Sequence, residues 1–457
     1  MSYVTSNRKS SGGVPLVPLH KRQLKSWKDS AEPRHQLWLE ACGFEARPGQ
    51  CLALPGKEGH VESWLFGMQE NGWLYQLAAI FNSLPKGEYV LGGDWDFEAV
   101  CQASLGWGLA AYRFERYKSG NGTRRELELA PEIAARVQPL LAAQYLVRDL
   151  VNTPTEHMGP EQLADAVAFE ADQFGAQYRV TTGDELLSQN FPAIHAVGRA
   201  SCSKPRLVEM SWGDASAPLL VLVGKGVCFD TGGLDLKNTS GMALMKKDMG
   251  GAAHALALAR LVMQHALPVR LLLLIPAVEN SVSGNAYRPG DVVVSRNGLS
   301  VEIGNTDAEG RVVLADALAY ACERDPELII DFATLTGAAR VALGTDLPPL
   351  FSNQPGISQA IQQAGDEWED PLWTMPLYQP YLEQIRSPIA DLNNSSKSAY
   401  GGCITAALFL QQFITPDTPW VHIDTFAWNQ SSRPGRPEGG EALGLRAVFR
   451  YLQQRYA

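Results

Sequence analysis

Over the last two-thirds of the chain, short apolar runs alternate with longer stretches whose apolar positions recur every three or four residues. The runs at 219–223, 270–275, 328–332 and Trp420–Asp424 are rich in Leu, Ile and Val, with few polar interruptions. Such runs read as strands buried on both faces, the usual pattern of a parallel sheet. The stretches 250–265, 311–323 and 404–413 carry helical spacing between them. This alternation predicts an α/β fold with a central mixed, largely parallel sheet flanked by helices. Sites in such folds lie beyond the carboxyl ends of the strands. Residues 131–151 also read as a helix, since Ile133, Val137, Leu140, Leu141, Tyr145 and Leu146 share that spacing. Pro139 should kink it, and Asn152-Thr-Pro-Thr should stop it. Upstream, shorter runs such as Trp73-Leu-Tyr-Gln-Leu and Tyr89-Val-Leu-Gly are separated by turn signals, and Gly120-Asn-Gly-Thr reads as a loop. The expected organisation is a small N-terminal α/β domain over 1–130, a connecting helix over 131–152, and a larger domain over 153–457.

Composition narrows the classes. At 457 residues, two or three domains are expected. With 45% apolar and 19% charged residues, the chain has ample core material and does not read as disordered. Asp plus Glu outnumber Lys plus Arg by 49 to 39, a formal charge of −10. Proteins built to grip nucleic acid or anionic membranes lean the other way. The seven cysteines form no C-x-x-C pair and are odd in number, which argues against a zinc ribbon and a disulfide framework. The first eleven residues show no apolar segment behind their charges, so no signal peptide is expected. The longest apolar runs, 217–223 and 271–278, fall far below the ~18 residues of a membrane helix. A reduced, cytoplasmic chain without a membrane partner is expected.

The chemistry concentrates where the predicted strands end. Gly224-Lys-Gly-Val-Cys-Phe-Asp-Thr-Gly-Gly-Leu-Asp-Leu-Lys reads as a loop offering Lys225, Asp230 and Lys237. Asp248 follows in Lys246-Lys-Asp-Met-Gly-Gly, where a helix begins. A third cluster, Asn305-Thr-Asp-Ala-Glu-Gly-Arg, opens another helix; if extended, it would point Asp307 and Glu309 the same way. Taken singly, an Asp before a helix reads as an N-cap and a lone Lys as a solvated charge. Convergence is what that reading leaves unexplained. Four carboxylates from three strand ends of one sheet would repel one another, and divalent ions are the usual compensation. Carboxylate-rich sites suit Mg²⁺, Mn²⁺ or Zn²⁺. None of the eight histidines falls in H-E-x-x-H; His254 and His422 read as core residues.

The stretches Lys225-Gly-Val-Cys-Phe-Asp-Thr-Gly-Gly, Lys246-Lys-Asp-Met-Gly-Gly-Ala-Ala and Asn305-Thr-Asp-Ala-Glu-Gly-Arg resemble the signatures of the leucyl aminopeptidase (M17) family. Arg148-Asp-Leu-Val-Asn-Thr-Pro, Asp331-Phe-Ala-Thr-Leu-Thr-Gly-Ala and Ile389-Ala-Asp-Leu-Asn-Asn support it, over about 145–450. The resemblance implies a metal-dependent aminopeptidase acting on short peptides, with a Leu- or Met-like first residue. It implies a tighter site for one ion on Lys225, Asp230, Asp248 and Glu309, and a more exchangeable one on Asp230, Asp307 and Glu309. The ions would be Zn²⁺ or Mn²⁺, and would activate a hydroxide. Lys237 would stabilise the oxyanion, and Arg311 would hold a bicarbonate acting as general base. Leu335 would contact the substrate through its carbonyl, while Met245, Thr334 and Gly337 would wall the first side-chain pocket. A homohexamer is implied as well.

Two departures from the family pattern stand out. Asp235 adds a negative charge beside Lys237, and Asn238 stands where a rigid proline is common, which predicts a looser loop. The tail from Phe426 to Pro437 also differs and bears on the shape of the first pocket. Two alternatives compete: a DNA-binding architectural protein, and a catalytically dead scaffold of the same fold. The net charge and the lack of any Lys/Arg run longer than two argue against the first. Retention of Lys225, Asp230, Lys237, Asp248, Asp307, Glu309 and Arg311 argues against the second.

Overall fold

The computed structural model describes residues 4–5, 12–118 and 124–456. The chain divides into two compact units. One runs to Tyr145 and takes back 430–438; the other holds 146–429 and 439–457. The division falls inside the helix Pro131–Asn152, which continues past Pro139 and ends at the expected Asn. The loop expected at Gly120-Asn-Gly-Thr lies outside the described residues, as do most of the first eleven.

The first unit is built on a six-stranded sheet in the order Val4–Thr5, Arg125–Glu128, Gly87–Leu91, Val14–Leu19, Val61–Gly67, Cys51–Pro55. Only the last pairing is antiparallel. The helix Phe97–Ala111 starts at Asp96, whose carboxylate caps the Ala99 N–H at 2.8 Å. It buries Trp107 edge-on against Phe81 and Tyr89.

The second unit carries a nine-stranded mixed sheet. Its path runs Trp373–Thr374, Pro349–Ser352, Trp420–Asp424, Leu328–Ala333, Leu219–Gly224, Arg270–Asn280, Arg206–Trp212, Gln177–Thr182. The four strands legible as apolar runs form its parallel centre. Antiparallel pairings occur toward both margins. Every residue of Leu219–Gly224 is buried, as expected for a strand with neighbours on both edges and helices over the sheet. Arg270–Asn280 is eleven residues long and outruns Leu219–Gly224. Its free end takes a ninth strand, Gly226–Asp230, where the sequence predicts a loop. Lys225 therefore sits at the break between two strands, its N–H donating to the Phe332 carbonyl at 3.0 Å.

The polar residues inside these apolar elements are paired. Buried Asp331 accepts from Trp420 Nε1 at 2.7 Å and faces His422 Nδ1 at 2.6 Å. His254 is fully buried in the helix Gly250–Gln264: Nδ1–H donates to Gly250 O at 2.7 Å and Nε2 accepts from Leu443 N–H at 3.0 Å. Both histidines are core residues. His254→Leu should leave the Leu443 N–H unpaired in the core and lose about 1–3 kcal/mol, read as a lower midpoint of thermal unfolding. All seven cysteines are free. Among the described residues, no helix is long and apolar enough to cross a membrane.

Candidate active site

The charged residues meet at the carboxyl ends of the parallel strands. Lys225 reaches across the first turn of the helix Glu309–Cys322, and Gly310 makes room for it. A Cβ there would stand 2.5 Å from Lys225 Cε. Lys225 Nζ lies 2.6 Å from Asp248 Oδ2 and 2.8 Å from Glu309 Oε1, and donates to Thr334 O at 3.1 Å. Asp230 closes the strand Gly226–Asp230. Its Oδ1 accepts from Gly232 N and Asn280 Nδ2, each at 2.8 Å. Its Oδ2 stands 2.8 Å from Lys237 Nζ. The chain doubles back at Gly232, whose φ of 88° favours glycine. Lys237 then returns to donate its N–H to Thr231 O at 2.9 Å and its ammonium to Asp307.

Local geometry differs from the sequence reading at four points. Asp248 is no cap: the residue before the helix Gly250–Gln264 is Met249, and Asp248 lies in the short helix Met245–Met249, bound to Thr334 Oγ1 at 2.8 Å. Asp307 and Glu309 do not alternate along an extended segment. Asp307 sits in a turn and Glu309 begins a helix, and this bend is what turns both inward. Asp235 spends its charge on Thr306, accepting from its N–H at 2.8 Å and its Oγ1 at 3.2 Å, so it ties two loops together. Asn238 caps Thr239–Met242, accepting from Gly241 N at 2.8 Å; with φ −70° it holds the angle a proline would impose.

Carboxylate oxygens of Asp230, Asp307 and Glu309 lie within 4.8 Å of one another. Burial and the charge of Asp248 push the Asp230 carboxyl up to about 6. Burial and Asp230 push Glu309 well above the carboxylate range. Burial disfavours the charges of Lys225 and Lys237, but the surrounding carboxylates outweigh it and hold both ammonium groups above the ordinary lysine range. Two lysines thus leave the cluster short of positive charge. Asp248 Oδ2 and Glu309 Oε1 are buried, each touching the Lys225 ammonium but taking no well-directed hydrogen bond. This donor set of carboxylates and one amine fits divalent ions. Lys225 can act as a ligand only as the free amine, so its proton must leave when an ion arrives.

Above the cluster opens a cleft of about 390 Å³. Lys225, Asp230, Lys237, Met245, Asp248, Asp307, Arg311, Thr334, Leu335 and Gly337 all line it, while Glu309, 1% exposed, lies beneath. Arg311 is buried, with Nη1 on Asn394 O at 2.9 Å and Nε unpartnered. Four supporting residues escaped the sequence reading. Asn280 ties Asp230 to Thr306 O. Asn394 accepts from Gly304 N at 2.8 Å and donates to Asn305 O at 2.8 Å, fixing the turn before Asp307. Asp424 accepts from Leu335 N at 2.9 Å and Thr336 Oγ1 at 2.6 Å, holding the loop that carries Leu335. Lys247 lines the cleft. Of these, Asp424 was findable, since it ends a predicted strand on the side where sites form.

Known proteins are similar to this chain in sequence and fold. The profile "Cytosol aminopeptidase family, catalytic domain" matches residues 145–449, and "M17 aminopeptidase, N-terminal domain" matches 14–130. A probable cytosol aminopeptidase of Syntrophotalea carbinolica is 39% identical over 370 residues, covering 76% of this chain and 73% of its own. The crystal structure of a cytosol aminopeptidase from Coxiella burnetii superposes with TM-score 0.97 at 48% identity, covering 100% of both chains. The bottromycin maturation enzyme BotP in complex with Mn superposes with TM-score 0.88 at 31% identity, covering 98% of this chain and 100% of that one. With both profiles matched in order and the whole fold shared, the chain belongs to the M17 cytosol aminopeptidase family and is a peptidase.

Proposed function

We propose that the chain releases N-terminal amino acids from short peptides, with Lys225, Asp230, Asp248, Asp307 and Glu309 holding two divalent ions, Zn²⁺ or Mn²⁺. The observation that carries this reading is the convergence of four buried or half-buried carboxylates around Lys225 and Lys237 on the cleft floor. The bound ions would supply positive charge that polarises the scissile carbonyl and activates water.

The chain's own residues do the rest. Lys237 stays charged between Asp230 and Asp307 and offers its ammonium to the oxyanion that develops on the carbonyl. The Leu335 carbonyl, held by the grip of Asp424 on its N–H, accepts from the substrate backbone. Met245, Thr334 and Gly337 bound a pocket for a first side chain of Leu or Met length. Arg311 keeps its Nε unpartnered under the cleft and fits a bicarbonate, which would supply the general base. Burial lowers the Arg311 pKa only to about 10, so the guanidinium is charged at neutral pH. The homohexamer and the cytoplasmic location rest on family membership.

Free and N-acetylated leucyl and methionyl peptides test the reading. The metal-loaded enzyme should cleave only the free ones; equal cleavage of both would contradict an aminopeptidase. Arg311→Ala should slow kcat by roughly 10²-fold, the usual worth of a general base, with metal content intact by elemental analysis. Loss of metal instead would assign Arg311 a structural role.

A further inference from the structure

Thr306, the residue before Asp307, is fully buried. Its carbonyl accepts from Asn280 Nδ2 at 2.9 Å and from the Tyr287 hydroxyl at 2.6 Å, which fixes it to the end of the strand Arg270–Asn280. Its other polar groups face the loop that carries Lys237. The hydroxyl donates to Gly232 O at 2.6 Å and accepts from the Asp235 N–H at 2.8 Å. The Asp235 carboxylate completes the pairing, accepting from the Thr306 N–H at 2.8 Å. Packing does little to hold this part of the loop, since Leu234 and Leu236, on either side of Asp235, are 42% and 60% exposed. Lys237 has two sets of ties, its N–H on Thr231 O and its ammonium on Asp230 and Asp307. A divalent ion on those carboxylates would compete with the ammonium for their oxygens and weaken the second set. The Asp235–Thr306 pairing uses none of those oxygens.

We infer that Asp235 is a positioning residue for the reaction: hooked to Thr306, it keeps the Lys237 ammonium in register with Asp307 once ions draw on Asp230 and Asp307. The inference rests on the aminopeptidase reading, with Lys237 as the oxyanion donor. Asp235 acts through the backbone, two residues before Lys237 and, by way of Thr306, one before Asp307. The bland alternative is a surface tie that only stiffens the loop, whose loss would lower the melting temperature and leave the rate alone.

The test is a double-mutant cycle of Asp235→Ala and Lys237→Met, read as kcat and KM of the metal-loaded enzyme for Leu-p-nitroanilide. Beside it, Zn²⁺ is titrated stepwise into the metal-free proteins by calorimetry. Asp235→Ala alone should lower kcat by roughly 10–10²-fold, the cost of a misplaced group, with KM little changed. In the Lys237→Met background the same substitution should change kcat by less than about twofold, because the two residues act as one unit. Asp235→Asn removes the charge but keeps an oxygen for the Thr306 N–H, and should recover most of the loss. In calorimetry, Asp235→Ala should weaken the second ion by roughly tenfold and the first by less, since Thr306 leads into Asp307. Asp235 is exposed, so alanine there takes nothing from the core. A fall in kcat from misfolding would appear in both backgrounds, and the cycle separates it. Unchanged kcat in Asp235→Ala, equal losses with and without Lys237, or a loss that Asp235→Asn shares in full would each overturn the inference. Failure of the aminopeptidase reading shows differently, as no turnover by the parent with both ions bound.

Discussion

Glu309→Gln is expected to abolish turnover, lowering kcat/KM by roughly 10³-fold or more, since bound divalent ions would contribute several kcal/mol to the transition state. Glu309 lies beneath the cleft floor, with its carboxylate within 4.8 Å of those of Asp230 and Asp307 and 2.8 Å from the Lys225 ammonium. An amide keeps the shape and one acceptor oxygen but removes the charge that would bridge two ions. Metal content should fall below two per chain by elemental analysis. Stability should move the other way. Burial and Asp230 already disfavour the ionised carboxyl, so a neutral side chain relieves the metal-free protein of that repulsion. The metal-free variant is therefore expected to unfold at or above the parent's temperature. Retained activity with two bound ions would refute the bridging role.

Lys237→Met should lower kcat by roughly 10²–10³-fold, the usual worth of one oxyanion donor. KM should change little, and both ions should stay bound. The geometry fixes these signs. The ammonium stands between Asp230 and Asp307, and burial opposes its charge while those carboxylates sustain it. Removing it leaves both carboxylates with one competitor fewer for a divalent ion. If Lys237 instead served only to balance charge, metal affinity would rise while kcat held steady. Single-turnover rates measured beside metal titration separate the two outcomes.

How much of this was legible in the sequence depended on whether a feature was local. The central strands read correctly because strands buried on both faces are continuously apolar, and their carboxyl ends located the chemistry. Gly226–Asp230 did not read as a strand because its glycines resemble a turn. Only the overhanging end of Arg270–Asn280, far along the chain, makes it one. Asp307 and Glu309 would point the same way in an extended segment, but a turn entering a helix has the same spacing and is what brings both inward here. Asp235 and Asn238 read as a perturbing charge and a loosened loop. Each proves to be a tether, and its partners, Thr306 and Gly241, show only in three dimensions. Nor does the linear order announce that 430–438 joins the first unit.

The central claim is that two divalent ions on this carboxylate cluster make the chain an aminopeptidase. Its most direct test is to strip the purified protein with chelator and titrate Zn²⁺ or Mn²⁺ back. Hydrolysis of unblocked aminoacyl-p-nitroanilides, including the leucyl and methionyl forms, is followed at each addition. Activity should vanish on stripping and return in step with binding, saturating as the second ion per chain is filled. Hydrolysis that survives complete stripping, or two bound ions with no turnover of any unblocked substrate, would contradict the account.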